Sequence, residues 1–504
     1  MINKRGNIDR LVPEPSSLGR HTAAALVFGA SASVLVVELV ALRLLAPYLG
    51  LTLEATTLVI GVALAAIALG SWTGGRVADV LPPRRALGPL LAVSGVAVAV
   101  TPFAIRGAGS IDSGVLILVA TLTIIVPGTL LAAVTPMVTK MRLTSLEETG
   151  TVVGQLSGIG TAGAIAGTVV TGFVLISRVP VSGIMVGLGA ALVVAATAVE
   201  FRVRGWKSLG VPALLVGLGG GAVAVVPGGC DAETTYHCAA VVTDPGRASG
   251  RVLMLDGAPH SYVDLQDPTY LEYDYAKAVV SVIETEYPQG QQLRAYHIGG
   301  GGLTVPRYLD RVRPGTQSLV SEIDAGVVKI NVERLELQTS EDIEIRVEDA
   351  RLGLSRLADH SQDLVVGDAF GGISVPWHLT TREAVQQVSR VLTPKGVYAV
   401  NLLDYGPLAF ARAEVATLAD VFDYVALATK TDTLAGGEEA GGNAVVIASD
   451  APIDVAAIDS RLTDRGAEWG VITGAELTSW VGDVPILTDD YAPVDQLLTP
   501  YRVR

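Results

Sequence analysis

The sequence predicts a multi-pass α-helical membrane domain, then a small β subdomain, then an α/β domain on a doubly wound, mostly parallel sheet. Three observations predict it. Long apolar runs fill residues 1–227 and stop there. The charge balance reverses at the same place: residues 1–227 hold 15 Lys and Arg against 9 Asp and Glu, and the remainder holds 21 against 41, which together make the net charge of −14. From about residue 268, β-type runs alternate with helix-type runs, and the first such strand opens into the glycine loop of "HIGGGGLTVPRYL", His297 to Leu309. The divisions read as a cytoplasmic tail at 1–20, a transmembrane domain at 21–228, a small β subdomain at 229–267 and the α/β domain at 268–504.

A span needs about 20 mostly apolar residues. Seven stretches qualify, near 22–46, 55–79, 86–105, 114–138, 152–177, 181–199 and 209–227. "ASA" at 30–32 resembles a signal cleavage site, but the apolar run continues to Ala46, which favours a retained span. Basic residues recur in alternate connections: Lys4, Arg5, Arg10 and Arg20 before the first span, Arg76, Arg84 and Arg85 after the second, Lys140 and Arg142 after the fourth, and Arg202, Arg204 and Lys207 after the sixth. The positive-inside rule then puts the N-terminus in the cytoplasm, and seven spans put the acidic C-terminal domain outside. Glu38 and Arg43 are costly inside the first span. They read either as a loose structural ion pair or as part of a substrate or proton path. In "GQLSGIGTAGAIAG", Gly154, Gly158, Gly163 and Gly167 make two GxxxG spacings, a signature of close helix packing.

Cys230 and Cys238 follow the last span. Two cysteines eight apart at the start of an exported domain read as a disulfide, and they are a poor metal signature. No metal and no permanently bound cofactor is expected. The acidic balance of the second part argues against nucleic acid as a partner and suits a cationic ligand.

"GRVLMLDGAPHSYVDL" reads as a hairpin turning at Asp256-Gly257. "YLEYDYAKAVVSVI" reads as an amphipathic helix. Strands follow at "LRAYHI", "SLVSEI", "IEIRV", "DLVVGDAF" and "GVYAVNLLD", with helices near 304–312, 325–335 and 381–392 between them. In such a sheet ligands bind beyond the carboxyl ends of the strands. Four features fall there: the glycines 299–302, Glu322, Asp349-Ala350 and Asp368. Glycines let backbone approach a ligand closely, and the following helix N-terminus favours electronegative groups. Glu322 lies 23 residues after Gly299, near the spacing of a carboxylate that grips a ribose diol. Asp349 suits an adenine amino group, and Asp368 suits a base at the reacting centre. Each acid at a strand end also fits a plain helix N-cap. No Gly-Lys-Ser/Thr follows the loop, so it is not a phosphate-binding P-loop.

"YHIGGGGLTVPRYL", "SEID", "EDA" and "VVGDAF" after "GRVLMLDG" resemble the spermidine synthase (polyamine aminopropyltransferase) family. "VELVALRLLAPYLG", "HSYVDLQDPTYLEYDY" and "LTDDYAPVDQLL" resemble its membrane-fused branch. The resemblance covers nearly the whole chain. It implies a methyltransferase-type Rossmann-like domain behind a small β subdomain, assembling as a dimer or tetramer. It implies aminopropyl transfer from decarboxylated S-adenosylmethionine, a co-substrate, to putrescine, with release of methylthioadenosine. Carried over, Gly299, Gly300 and Gly301 cradle the nucleoside, Glu322 holds the ribose, Asp349 and Ala350 hold the adenine, and Asp368 accepts a proton. His237 stands where the family has a Gln of its β domain, and Glu272 where it has a His that meets the diamine. Gly302 replaces an acid that contacts the amine, and Gly371 replaces a second acid. Glu272, Asp274, Asp404, Asp489 and Asp490 are candidate replacements.

The implied function is a membrane-bound aminopropyltransferase whose partners are putrescine or a related amine, the adenosyl donor and the lipid bilayer. Two other readings stay open: another S-adenosylmethionine-type transferase, and a non-enzymatic membrane carrier or sensor that binds polyamine or nucleoside.

Overall fold

A computed structural model describes residues 18–49, 53–109, 113–143, 147–176, 178–204, 230–338, 340–371, 375–436 and 440–499. The chain divides into two compact units, one essentially N-terminal to Gly228 and one from Gly229 onward.

The first unit is helical: α1 (Arg20–Leu49), α2 (Leu53–Val80), α3 (Pro83–Gly109), α4 (Ser113–Ala132), α5 (Val134–Arg142), α6 (Thr149–Val170) and α7 (Val181–Arg204). Among the described residues six stretches are long and apolar enough to cross a membrane: Arg20–Ala46, Leu53–Val80, Pro83–Ala108, Val115–Arg142, Thr149–Leu175 and Val181–Arg202. The fourth combines α4 and α5. The expected seventh, near 209–227, lies outside the described residues. Only half of the glycine pattern on α6 serves close packing. A Cβ at Gly163 would sit 2.3 Å from the Phe28 carbonyl oxygen, and one at Gly167 2.6 Å from that of Ala32, so α1 and α6 touch backbone to backbone. Gly154 and Gly158 face open space. An unbroken α1 sets Glu38 and Arg43 about 140° apart around its axis, which does not favour their pairing.

The second unit opens with an antiparallel sheet in the order β1 (Ala232–Glu233), β2 (Cys238–Thr243), β3 (Gly250–Leu255), β4 (Ala258–Asp264). The expected hairpin joins β3 to β4. Asp256 (φ 53°) and Gly257 (φ 81°) both take the left-handed conformation that a two-residue turn demands. Helix α8 (Asp274–Glu286) starts four residues later than the sequence pattern implies, because Tyr273 is extended at its N-cap. Tyr270, Leu271 and Glu272 are therefore not helical.

The main sheet has the order β12-β10-β11-β9-β8-β5-β6-β7. Its parallel strands are β5 (Arg294–Ile298), β6 (Gln317–Glu322), β7 (Ile343–Val347), β8 (Gln362–Gly367) and β9 (Leu392–Tyr405). Strands β10 (Tyr424–Lys430), β11 (Gly441–Ser449) and β12 (Trp469–Thr473) complete it with antiparallel pairings. The strand order reverses between β5 and β8, which opens a crevice at their carboxyl ends. Side chains alternate across the sheet. Tyr296, Ile298, Val365 and Val400 join one apolar core, and Ala295, Leu364, Val366 and Ala399 join another. Burial on both faces explains the nearly continuous apolar runs of the parallel strands.

Helix α9 (Thr304–Val312) follows β5, and α10 (Ala325–Glu333) follows β6. The small sheet packs Leu253, Leu255 and Val263 against Val327 and Ile330 of α10. Asp324 ties the two parts together. It is fully buried, caps α10 through the Gly326 amide, and accepts hydrogen bonds from the Tyr236 amide and the Thr234 hydroxyl. Asp324→Ala leaves these buried donors unpaired, so it is expected to cost about 3 kcal/mol. The measurement is the denaturant midpoint of the C-terminal unit, read by near-UV circular dichroism; an unchanged midpoint contradicts this role.

Candidate active site

The glycine loop is shaped by its neighbours. Gly299 has φ 95°, and a Cβ there would lie 2.4 Å from the Asp368 carbonyl oxygen, so only glycine passes between β5 and β8. The next two amides, of Gly300 and Gly301, donate to Glu322 Oε2 at 2.8 and 3.3 Å. Glu322 Oε1 accepts from the Asp324 amide at 2.8 Å. The loop and the acid at the end of β6 thus hold each other in place.

A cavity of about 530 Å³ lies beyond the carboxyl ends of the strands. Gly299, Gly301, Glu322, Asp349, Ala350, Asp368 and His237 all line it. Asp349 Oδ1 caps α11 (Ala350–Arg356) through the Arg351 and Leu352 amides, while its Oδ2 meets His378 Nε2 at 3.0 Å. The plain capping role therefore coexists with a place in the cavity wall. His237 Nδ1 lies 2.8 Å from Asp256 Oδ2. A carboxylate can only accept, so Nδ1 carries the proton and the turn residue orients the ring. Cys230 and Cys238 are joined in a disulfide with Cα atoms 5.5 Å apart. That bond closes the segment that carries Tyr236 and His237 into the cavity wall.

Asp368 follows β8 at the cavity floor. Asn401 Nδ2 donates to its Oδ1 at 2.9 Å. The Tyr275 hydroxyl donates to the His260 carbonyl at 3.4 Å, and its proximity also favours the ionised carboxyl. Burial pushes this carboxyl up to about 6 against those two neighbours. His260, beside His237, is pushed down to about 4 by burial and by its histidine neighbour, which keeps it neutral.

The amine side differs from the sequence expectation. Gly302 does not line the cavity. Its amide donates to Ser261 Oγ at 3.0 Å, and a Cβ would sit 2.8 Å from Ser261 Cβ and 3.0 Å from Val263 Cγ2. The close approach of β4 leaves no room for the family's acid. Gly300 also stays outside the wall, as a donor to Glu322. Glu272 is exposed outside the cavity and accepts from the Tyr270 hydroxyl, a consequence of the late start of α8. Asp404 is buried and takes the Tyr405, Ala411 and Thr499 amides. Asp489 forms a two-pronged ion pair with Arg351. Neither it nor Asp490 lines the cavity. Of the replacement acids only Asp274 does, and Lys277 Nζ lies 2.8 Å from it. Gly371 lines the cavity as well.

Sequence reasoning missed Tyr275 and Asn401. Asn401 carried a signal, a polar side chain inside the apolar strand "GVYAVNLLD". Gly302→Asp is expected to strain the β4 contact and to lower the melting temperature by several degrees, without improving amine binding. A variant of unchanged melting temperature that binds putrescine more tightly contradicts this account.

No family model matches the chain. A polyamine aminopropyltransferase of Vibrio vulnificus is 33% identical over 106 residues, 21% of this chain and 36% of that protein. A polyamine aminopropyltransferase of Chromobacterium violaceum is 27% identical over 142 residues, 28% of this chain and 53% of that protein. The chain thus spans about a third and about half of the length of these curated relatives. Among solved structures, a probable spermidine synthase from Corynebacterium glutamicum matches with 26% identity and a TM-score of 0.48, covering 51% of this chain and 95% of that one. The curated homologues of this chain are polyamine aminopropyltransferases, and the six apolar N-terminal helices among its described residues fit a membrane-fused branch of that family.

Proposed function

We propose that the C-terminal unit transfers an aminopropyl group from decarboxylated S-adenosylmethionine to putrescine or a related amine, giving spermidine or its analogue and methylthioadenosine. The observation that carries this reading is Asp368, a carboxylate of raised pKa held by Asn401 in the same cavity as the glycine loop and Glu322.

An alkylammonium has a reference pKa near ~10, and only the free amine is a nucleophile. Its nitrogen attacks the aminopropyl carbon beside the sulfonium. The new C–N bond forms as the C–S bond breaks, and the bonding pair leaves with sulfur as a neutral thioether. The proton shed by the nitrogen passes to Asp368, whose pKa near 6 keeps it ionised at neutral pH yet basic enough to receive it. Glu322, with two oxygens and spare lone pairs, takes the ribose hydroxyls, and Asp349 with Ala350 takes the adenine edge.

Methylthioadenosine release with putrescine tests the reading. It is expected to fall by about 10²-fold or more in Asp368→Asn. Turnover rises with pH through about 6 as Asp368 ionises. Tyr275→Phe removes a neighbouring hydroxyl that favours the ionised form, so the rise shifts to higher pH. Failure to release methylthioadenosine with any amine overturns the proposal. The carboxyl also bears on stability. Its folded pKa of about 6 exceeds the reference value of 3.8, so ionisation destabilises the fold as pH rises through 6, and the effect vanishes below 3.8. Asp368→Asn is therefore expected to melt higher than the parent at pH 7.5 and not at pH 3.5.

The charge pattern and the disulfide support an extracytoplasmic C-terminal unit. A membrane-impermeant maleimide is expected to label Cys230 and Cys238 in intact cells only after reduction. Protection under both conditions contradicts this sidedness.

A further inference from the structure

The cavity wall beside Asp349 is braced by a residue 138 positions further along the chain than its partner. Arg351, in the first turn of α11, meets Asp489 with both terminal nitrogens, Nη1 to Oδ1 at 2.8 Å and Nη2 to Oδ2 at 2.5 Å. A two-pronged pair of this kind fixes orientation as well as distance. Asp489 is itself anchored. Its Oδ1 accepts from the Thr381 hydroxyl at 2.7 Å, and its amide donates to Glu383 Oε2 at 2.9 Å. Thr381 caps α12 (Arg382–Val391) through the Ala384 amide, so the anchor stands on a helix end. From this base Arg351 Nη1 also donates to the His378 carbonyl at 2.8 Å.

His378 carries the restraint inward. Arg351 holds its backbone, and its ring reaches Asp349, Nε2 to Oδ2 at 3.0 Å. A carboxylate can only accept, so Nε2 carries the proton. Asp349 Oδ1 is taken by the Arg351 and Leu352 amides, so both of its oxygens are held. Oδ2 keeps a further lone pair for a ligand, and Asp349 and His378 both line the cavity. We infer that His378, locked by the Arg351–Asp489 pair, is a positioning residue that aims Asp349 at the exocyclic amino group of a purine and so makes the cavity select adenine over hypoxanthine. This inference rests on the proposed place of the adenine edge at Asp349 and names what fixes its selectivity. A carboxylate held in one orientation accepts from an amino group and repels a carbonyl in the same place, because two acceptors then face each other. A carboxylate that can turn away loses much of that difference.

The test is calorimetric titration of the full chain in lipid nanodiscs with methylthioadenosine and with methylthioinosine, in which a carbonyl replaces the amino group. The wild type is expected to bind methylthioadenosine at least about thirtyfold more tightly. Asp489→Asn and His378→Phe are each expected to cut that ratio by about tenfold. His378→Gln, which keeps an N–H donor near the position of Nε2, is expected to retain most of it. A purely structural role would weaken both nucleosides alike. Equal binding of the two by the wild type, or a ratio unmoved in either Asp489→Asn or His378→Phe, overturns the inference. If neither nucleoside binds the wild type, the nucleoside reading of the cavity falls instead. Carbethoxylation of His378 by diethyl pyrocarbonate, followed by mass spectrometry, then decides the restraint: it is expected to quicken about fivefold in Asp489→Asn, and equal rates overturn it.

Discussion

The site depends on the passage of the backbone at Gly299 against β8. A Cβ at that position would fall 2.4 Å from the Asp368 carbonyl oxygen, and the Asp368 amide donates to the Ile298 carbonyl. This approach lies at the reversal of strand order between β5 and β8. It brings two stretches almost seventy residues apart, the glycine loop and the acid after β8, to one cavity. Glu322 then completes the loop by taking two of its amides. A pocket of this kind is a backbone device first, and its side chains are added to a cradle that already has its shape.

Charge is distributed unevenly around that cradle. The acids near the loop each satisfy backbone donors: Glu322 holds the loop, Asp324 caps α10 and Asp349 caps α11. Their structural duties keep them ordered, and a carboxylate retains lone pairs for a ligand after one or two such bonds. Asp368 differs. Its carboxylate is held by a side chain, Asn401, and its surroundings are poor in solvent. Low polarity raises the cost of its negative charge, which is the property a proton acceptor near neutral pH requires.

The small sheet does more than cover the cavity. Asp256 holds His237 with one oxygen and the Cys238 amide with the other. Asp324 holds the Tyr236 amide two residues earlier. With the disulfide closing the same segment, the cavity wall is pinned from three sides by short-range bonds. Ser261 and Val263 of β4 press on Gly302 and remove the space where a longer side chain would stand. The small sheet thereby limits the space beside the glycine loop.

Much of this was legible in the sequence. Apolar length and basic connections marked the membrane helices, and β-type runs alternating with helix-type runs marked the parallel sheet, because both patterns follow from local periodicity. The order of glycine loop, Glu322, Asp349 and Asp368 was readable for the same reason: carboxyl ends of parallel strands lie on one edge. Periodicity says nothing about which side chains meet across strands. Asn401, Asn443, Lys430 and Trp469 sit on four strand or strand-end positions whose adjacency arises only from the order β12-β10-β11-β9-β8. The exposure of Glu272 followed from a helix starting at Asp274, and the closure at Gly302 from the approach of β4. The sequence by itself determined the two-part architecture and the placing of the glycine loop, Glu322, Asp349 and Asp368 at the strand ends, since these depend on near neighbours along the chain. Only the tertiary structure decided the rest of the cavity wall, because long-range packing assembles that surface from separate strands.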